Sequence, residues 1–458
     1  VAATARTLDR DRQAAPDNPA ASALWSSEPC GRRGQNGGHD FVFRLRTEIE
    51  MRHAMKKKGP VLCSVIVMMA GSLAAVAQIT SAASNKDLSP TEQSILGARQ
   101  AIAEKPLQSA GYNLLATALV RRAQETSDAG FYTQAEDAVK KSLELAPDSF
   151  DTEKIRVSIL LGEHEYPVAL EAAKALNKRV PDDVMVYGLL TDANVELGNY
   201  KDAEVSAQWM LNLRPGNLPA LTRAARLREL FGDGEGALEL LDLAYQSTPP
   251  TETGERAGIL TQMGRLRSAS GNTEVAERFF RQALTLSPNY PSALGNLAQV
   301  RIAQKRYAEA VVLLEQRYQS APRAANLYDL AEALQLAGRD GEAKKAFGEF
   351  EEKALAESSG MNNSNRELIF YYADHAHRPA KAMEVAQREY AWRHDVYTLD
   401  AYAWALHVNG QDAEARKRIE TALAVGVRDE RLLSHARDIT LSMRTIAGGP
   451  HLERSGAH

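Results

Sequence analysis

Residues 262–288 read "QMGRLRSASGNTEVAERFFRQALTLSP". Apolar or small residues recur at helical intervals at Leu260, Met263, Gly264 and Leu266, break at "SGN", and resume at Val275, Ala276, Phe279, Phe280, Ala283 and Leu284. Gly271 with Asn272 stops one helix and starts another, and Pro288 cannot continue the second. The stretch therefore predicts an antiparallel helix pair with a short turn. Gly264 and Ala276, small residues on helix faces, mark where the two helices come too close for a larger side chain.

The same text recurs along the chain. Prolines close comparable segments at 147, 181, 215 and 249, each 34 residues apart, and again at 288 and 322. The small residue that opens the second helix recurs at Ala135, Ala169, Ala203, Ala237, Ala276, Ala310, Ala343, Ala382 and Ala415. The steps are 34, 34, 34, 39, 34, 33, 39 and 33 residues. A period of this length, held so often, is the signature of a repeat architecture.

On these residues the chain resembles the tetratricopeptide-repeat (TPR) family. Leu297, Ala298, Tyr307, Ala310, Leu314 and Pro322 match one copy of the family's pattern; Met263, Gly264, Gly271, Ala276, Phe280, Ala283 and Pro288 match another. The resemblance spans residues 111–428 and implies an all-α, right-handed superhelical solenoid of about nine antiparallel helix pairs. The first copy has an enlarged turn, "QETSDAG", and the last three lack the closing proline. Most of the matching residues then serve packing between helices.

Composition suits this architecture. The 458 residues are 44% apolar and 25% charged, and a solenoid buries its core one repeat at a time. Residues 1–77 carry 11 Lys/Arg against 7 Asp/Glu, leaving 44 against 52 for the rest. An acidic body without a basic stripe argues against nucleic acid as the main ligand.

The N-terminal text is organised differently. "MKKKGPVLCSVIVMMAGSLAAVAQ" begins at Met55 with three lysines, continues as an apolar run broken by Gly71 and Ser72, and ends in a small-x-small site before Gln78. It reads as a secretory signal peptide over 55–77, with an uncleaved anchor as the competing reading. Cys63 follows a leucine, against the lipoprotein pattern. Residues 1–54 lack apolar periodicity and read as an untranslated or disordered leader. Cys30 and Cys63 both precede the cleavage point, so a mature exported chain would have no cysteine, which suits an oxidising periplasm or exterior. After cleavage it would not be an integral membrane protein.

Within 78–110, "SPTEQSILGARQAIAEKP" predicts a capping helix with Ser89 as N-cap and Pro90 in the first position. A second capping helix is expected over 429–443, with Leu432, Leu433, Ala436, Ile439 and Met443 on its inner face, and a disordered tail over 444–458. The two 39-residue steps mark insertions at 247–258 and 357–380, candidate hinges or lips.

Enzyme signatures are weak. "GDGEGA" at 232–237 follows a helix rather than a strand and reads as an inter-helix turn; "HEYPV" at His164 lacks a second histidine. The reading is a non-catalytic scaffold without cofactor.

In the family, the first helix of each pair lines the concave groove that grips partners. Counting along the motif then places Glu367, Tyr371, Asp374 and His375 on that surface in one repeat, and Tyr397, Asp400, Trp404 and His407 in the next. Exposed aromatics beside carboxylates and histidines offer stacking area and orienting polar groups. The alternative is that Tyr371 and Trp404 pack between repeats and the histidines are solvated. A metal site, with hydrolase chemistry, from Asp374, His375 and His377 is a further alternative. In the middle of the groove Arg223, Arg226 and Arg265 occupy lining positions beside Gln262, Asn296 and Gln299, which would favour a carboxylate, an acidic peptide or an extended backbone. The expected partner is a protein or peptide; membership of a cell-envelope complex, or self-association through the ends, is the other reading.

Overall fold

The computed structural model describes residues 88–359 and 363–447, all within the second of the chain's two units, 62–458. The leader, the signal segment, residues 78–87 and the tail beyond 447 lie outside the described residues. Among those described there are twenty helices and no strand. A first helix, α1 (Pro90–Glu104), opens the stack. Nine antiparallel pairs follow. They are α2 (Ser109–Thr126) with α3 (Gly130–Leu145), α4 (Phe150–Gly162) with α5 (Tyr166–Arg179), and α6 (Val184–Glu196) with α7 (Tyr200–Leu213). Next come α8 (Leu218–Leu230) with α9 (Gly234–Ser247), α10 (Thr253–Ala269) with α11 (Thr273–Leu286), and α12 (Pro291–Ala303) with α13 (Tyr307–Ser320). The last three are α14 (Ala324–Leu336) with α15 (Asp340–Glu357), α16 (Asn365–Phe370) with α17 (Pro379–Tyr390), and α18 (Val396–Val408) with α19 (Asp412–Leu423). A closing helix, α20 (Glu430–Ala447), caps the array and runs past Met443 into the segment read as tail.

Local chemistry sets these boundaries. Ser89 accepts the Glu92 N–H while the Glu92 carboxylate accepts the Ser89 N–H at 2.8 Å, a capping box that starts α1. Gly271 adopts φ +80°, the left-handed turn that lets α10 reverse into α11. The repeating alanines do what their spacing predicts: all nine, from Ala135 to Ala415, are no more than 3% exposed. A methyl is all the space allows there. At Gly264 not even that fits, since a Cβ would lie 2.5 Å from the Phe280 ring on α11, itself fully buried. Burying a phenylalanine contributes roughly 2–3 kcal/mol, so each such contact is a large part of one repeat's stability.

The insertions are largely absorbed into helices rather than left as lips. The first falls in the stretch that starts α10, which has 17 residues against 13 for α8 and α12. The second begins where the 18-residue α15 ends and includes the six-residue α16, which passes into a π-helical turn at Tyr371–His375.

The array also meets itself. The Val396 N–H, at the start of α18, donates to the Tyr200 hydroxyl at 2.9 Å. The α6–α7 turn at Gly198 presses on the His394 carbonyl, and the α8–α9 turn at Gly232 presses on the Gly426 carbonyl. The Arg393 guanidinium lies 5.2 Å from the centre of the Tyr166 ring. Pairs two to four are thus covered along one edge by pair nine and the approach to α20. These contacts join elements nearly 200 residues apart, which the sequence reading did not foresee.

Candidate functional site

The first helices of the middle pairs carry charged residues that meet between repeats. The three arginines predicted there do not stand free. Arg223 on α8 makes a two-pronged contact with Asp192 on α6, at 2.9 and 2.6 Å. Arg226 reaches Glu196 at 2.5 Å, and Arg265 on α10 grips both oxygens of Glu229 on α8. The physical reason is the period itself. A carboxylate about one repeat earlier sits directly beside the guanidinium, and the planar fork matches it. Each of the three predicted arginines is thus paired with a carboxylate about one repeat earlier. Glu196 is held below the usual carboxylate range: burial pushes it up, and Arg226, with Arg366 and Arg393 behind it, more than offsets that.

Distant repeats interact as well. Tyr397 on α18 lies within electrostatic reach of Arg265, Glu229 and Arg226, and burial raises its phenol. Near the N-terminal end, Arg121 on α2 reaches Glu252 at 2.5 Å across 131 residues. Asn296 bonds to the Ser292 carbonyl of its own helix, at 2.8 Å. Gln262 is half-buried one turn before Arg265, and Gln299 is exposed on α12.

Two of the predicted groove residues are buried rather than exposed. Tyr371 is 9% exposed; its ring stacks on Phe347 of α15 at 5.5 Å, and its hydroxyl donates to Glu351. It begins the π-helical turn, whose extra residue per turn shifts the faces that a regular 3.6-residue count assigns. Asp400 is 4% exposed because His435 of α20 docks on it, Nδ1 to Oδ1 at 2.8 Å. The remaining residues of that group do come together. Trp404 is half-buried; its indole stacks on His435 at 4.2 Å and donates to Asp374 at 2.8 Å. His407 pairs with Asp412 at 2.6 Å. His375 lies 3.5 Å from Glu332 and against the Phe347 ring. Glu367 is half-buried within electrostatic reach of Asp329 and Arg431. His377 points to solvent, and among the described residues no group of three or more His, Cys, Asp or Glu is arranged to hold a metal ion.

The sequence reading missed Asp329 and Glu332 on α14. With Glu367 and Asp374 they place four carboxylates along one stretch of wall, countered by Arg317, Arg431 and His375. Burial raises Asp329 and Asp374, and neighbouring Glu332 and Glu367 add to the shift at Asp329. Asp374 is exposed to solvent at its edge of the cluster. Glu332 lies 35 residues before Glu367, four short of the 39-residue step between those repeats, so counting the motif does not align the two. What counting could not supply was which wall faces which.

Among the described residues no helix is long and apolar enough to cross a membrane. Residues 267–324 match the model of the tetratricopeptide repeat. A stretch of 107 residues, 23% of the chain, is 35% identical to the "Cellulose synthase operon protein C" of Xanthomonas axonopodis pv. citri (strain 306), covering 7% of that protein. Another of 104 residues, 22% of the chain, is 32% identical to the "Photosystem I assembly protein Ycf3" of Rippkaea orientalis (strain PCC 8801 / RF-1), covering 60% of it. The chain thus matches less than two thirds of either relative. Among solved structures it is similar to a human IFIT1 dimer with m7Gppp-AAAA, at TM-score 0.47 and 12% identity, over 86% of this chain and 96% of that one.

Proposed function

Because the chain is a tetratricopeptide-repeat protein, we propose that it is an exported, non-catalytic scaffold that holds a protein or peptide partner in its concave groove. The observation that carries this is the acidic stretch of wall formed by Asp329, Glu332, Glu367 and Asp374, with Trp404 beside it. Four carboxylates against two arginines and a histidine favour a segment that brings donors or positive charge, and the indole adds stacking area. The arginines at 223, 226 and 265 are paired internally and contribute shape more than charge. Export rests on the segment from Met55 to Ala77, with cleavage before Gln78.

The test is in-cell crosslinking followed by mass spectrometry, comparing the parent with the paired substitutions Glu332→Gln and Asp374→Asn. Partner capture should fall while helicity holds. Undiminished capture from folded variants would place the binding surface elsewhere. N-terminal sequencing of the chain recovered from the cell envelope should begin at Gln78; an intact Met55 there would remove the export reading. A second reading, assembly through the ends of the array, is favoured by the apolar residues exposed near α1, with Leu107 82% and Leu114 60% exposed. Mass-resolved chromatography separates the two, since end-to-end assembly grows with concentration without any partner.

A further inference from the structure

We infer that Arg431 is a built-in occupant of the acidic stretch, and that a partner seats by displacing its guanidinium with an arginine of its own. This rests on Asp329, Glu332, Glu367 and Asp374 being the partner site, as proposed above.

Arg431 reaches that stretch from outside the repeats. It is the second residue of α20, yet its Nη2 donates to Glu332 Oε2 on α14, 99 residues earlier. Its guanidinium lies 4.9 Å from the centre of the Phe370 ring on α16, with Asp329 and Glu367 within electrostatic reach. A planar cation set between an aromatic face and several carboxylates is how an arginine from another chain would be held.

The side chain is free to give up this place. Arg223 and Arg265 each grip both oxygens of one carboxylate. Arg431 makes one hydrogen bond among the described residues, at 3.4 Å, and its side chain is 44% exposed. An exposed, single-pronged pair contributes little, and a cation in the first turn of a helix is opposed by the helix dipole. What holds Arg431 is the field of the carboxylates, and that field holds any guanidinium that reaches them. Glu332 keeps other partners when Arg431 leaves: the Tyr328 hydroxyl donates to it at 2.8 Å, and His375 stands 3.5 Å away. The helix itself stays in place. Leu432 and Ile439 are fully buried and His435 is docked on Asp400, so only the long exposed side chain has to swing out.

The experiment titrates the purified full chain with a capped glycine peptide carrying one central arginine. The same peptide with citrulline, which has the shape of arginine without its charge, is the control. The chain is labelled at its arginine nitrogens, and the Arg431 Nε–H resonance is assigned by its loss in Arg431→Gln. Adding the arginine peptide to the parent should move that resonance toward the position of a free arginine, and the citrulline peptide should not. Arg431→Gln should bind the arginine peptide about fivefold tighter than the parent does. Arg437→Gln, which removes an exposed charge from the same helix, should bind like the parent. Binding that leaves the Arg431 resonance in place, or equal affinity across the three chains, would overturn the displacement while keeping the acidic stretch as a site. No binding by any of the three removes both readings. If Arg431 is displaced but Glu332→Gln and Asp374→Asn keep full capture in cells, the displacement stands and the partner-site reading falls.

Discussion

The Tyr200 hydroxyl accepts the backbone N–H of Val396 across 196 residues of chain. In a solenoid whose repeats touch only their neighbours, stability is close to a sum of local terms. This bond breaks that rule, because pair nine supports pair three directly. Deleting residues 391–458 should therefore loosen a region far from the cut. Amides over 198–203 should lose protection in the shortened chain, while those over 273–286, away from that contact, should change little. Equal protection in both stretches would show that the contact carries no energy.

Gly264 faces a fully buried Phe280 ring with no room for a methyl. Gly264→Ala should lower stability by about 1–3 kcal/mol through overpacking. Adding Phe280→Leu to it should cost less than the separate effects of the two changes combined, since the smaller side chain vacates the space. A denaturant double-mutant cycle measures the coupling, and strict additivity would mean that the ring moves aside freely.

Ala276 and Ala310 are fully buried at helix crossings. Glutamine at either position should cost on the order of 3 kcal/mol, combining overpacking with a buried amide. The exposed Glu274, two residues earlier and on the outer side of the same helix, is the matched position, where the same residue should cost little. Glu277 would be a poor control. Its carboxylate receives two hydrogen bonds from the buried Arg301, at 2.8 and 2.6 Å.

That pair predicts a pH dependence. Hydrogen bonds from Arg301 hold Glu277 at about 2, well under its ordinary 4.5. A carboxylate depressed on folding adds stability that is fully present above the unfolded value and is lost as pH falls through the folded one. Between about pH 5 and pH 2 the parent should lose on the order of 1–2 kcal/mol at this site, after allowance for solvent screening. Glu277→Gln should remove that portion of the slope in chemical denaturation measured across this range. An unchanged slope would mean that Arg301 finds another counter-ion.

Tyr371 and Trp404 should behave oppositely. Tyr371→Ala empties a buried site packed on Phe347 and Phe350 and should lower stability by about 3–5 kcal/mol. Trp404→Phe keeps most of the packing on His435 and loses the bond to Asp374, so its melting temperature should stay near the parent's while partner capture falls. A Tyr371→Ala protein that melts like the parent would return that ring to the surface.

The nine alanines, the glycine turns and the closing prolines were legible because each acts locally. A helix crossing admits only a methyl, a reversal needs a left-handed residue, and a proline cannot extend a helix. These demands repeat with the period of the fold, so the text alone determined the helix pairs; the N-cap at Ser89 was equally local, while its capping box with Glu92 came from the structure. The placement of Arg223, Arg226 and Arg265 on first helices followed from the same count, yet their pairing with Asp192, Glu196 and Glu229 depended on how each repeat is rotated onto the last. Tyr371 escaped because a π-helical turn shifts the face, and Asp400 because His435 arrives from outside the repeat pattern. The contact at Gly198 and Gly232 was beyond any local reading. Those glycines satisfy the same turn chemistry as Gly271 and Gly338, and only the accumulated rotation of many repeats, each a small angle that no single residue specifies, brings the Gly426 and His394 carbonyls against two of them and leaves the others in open solvent.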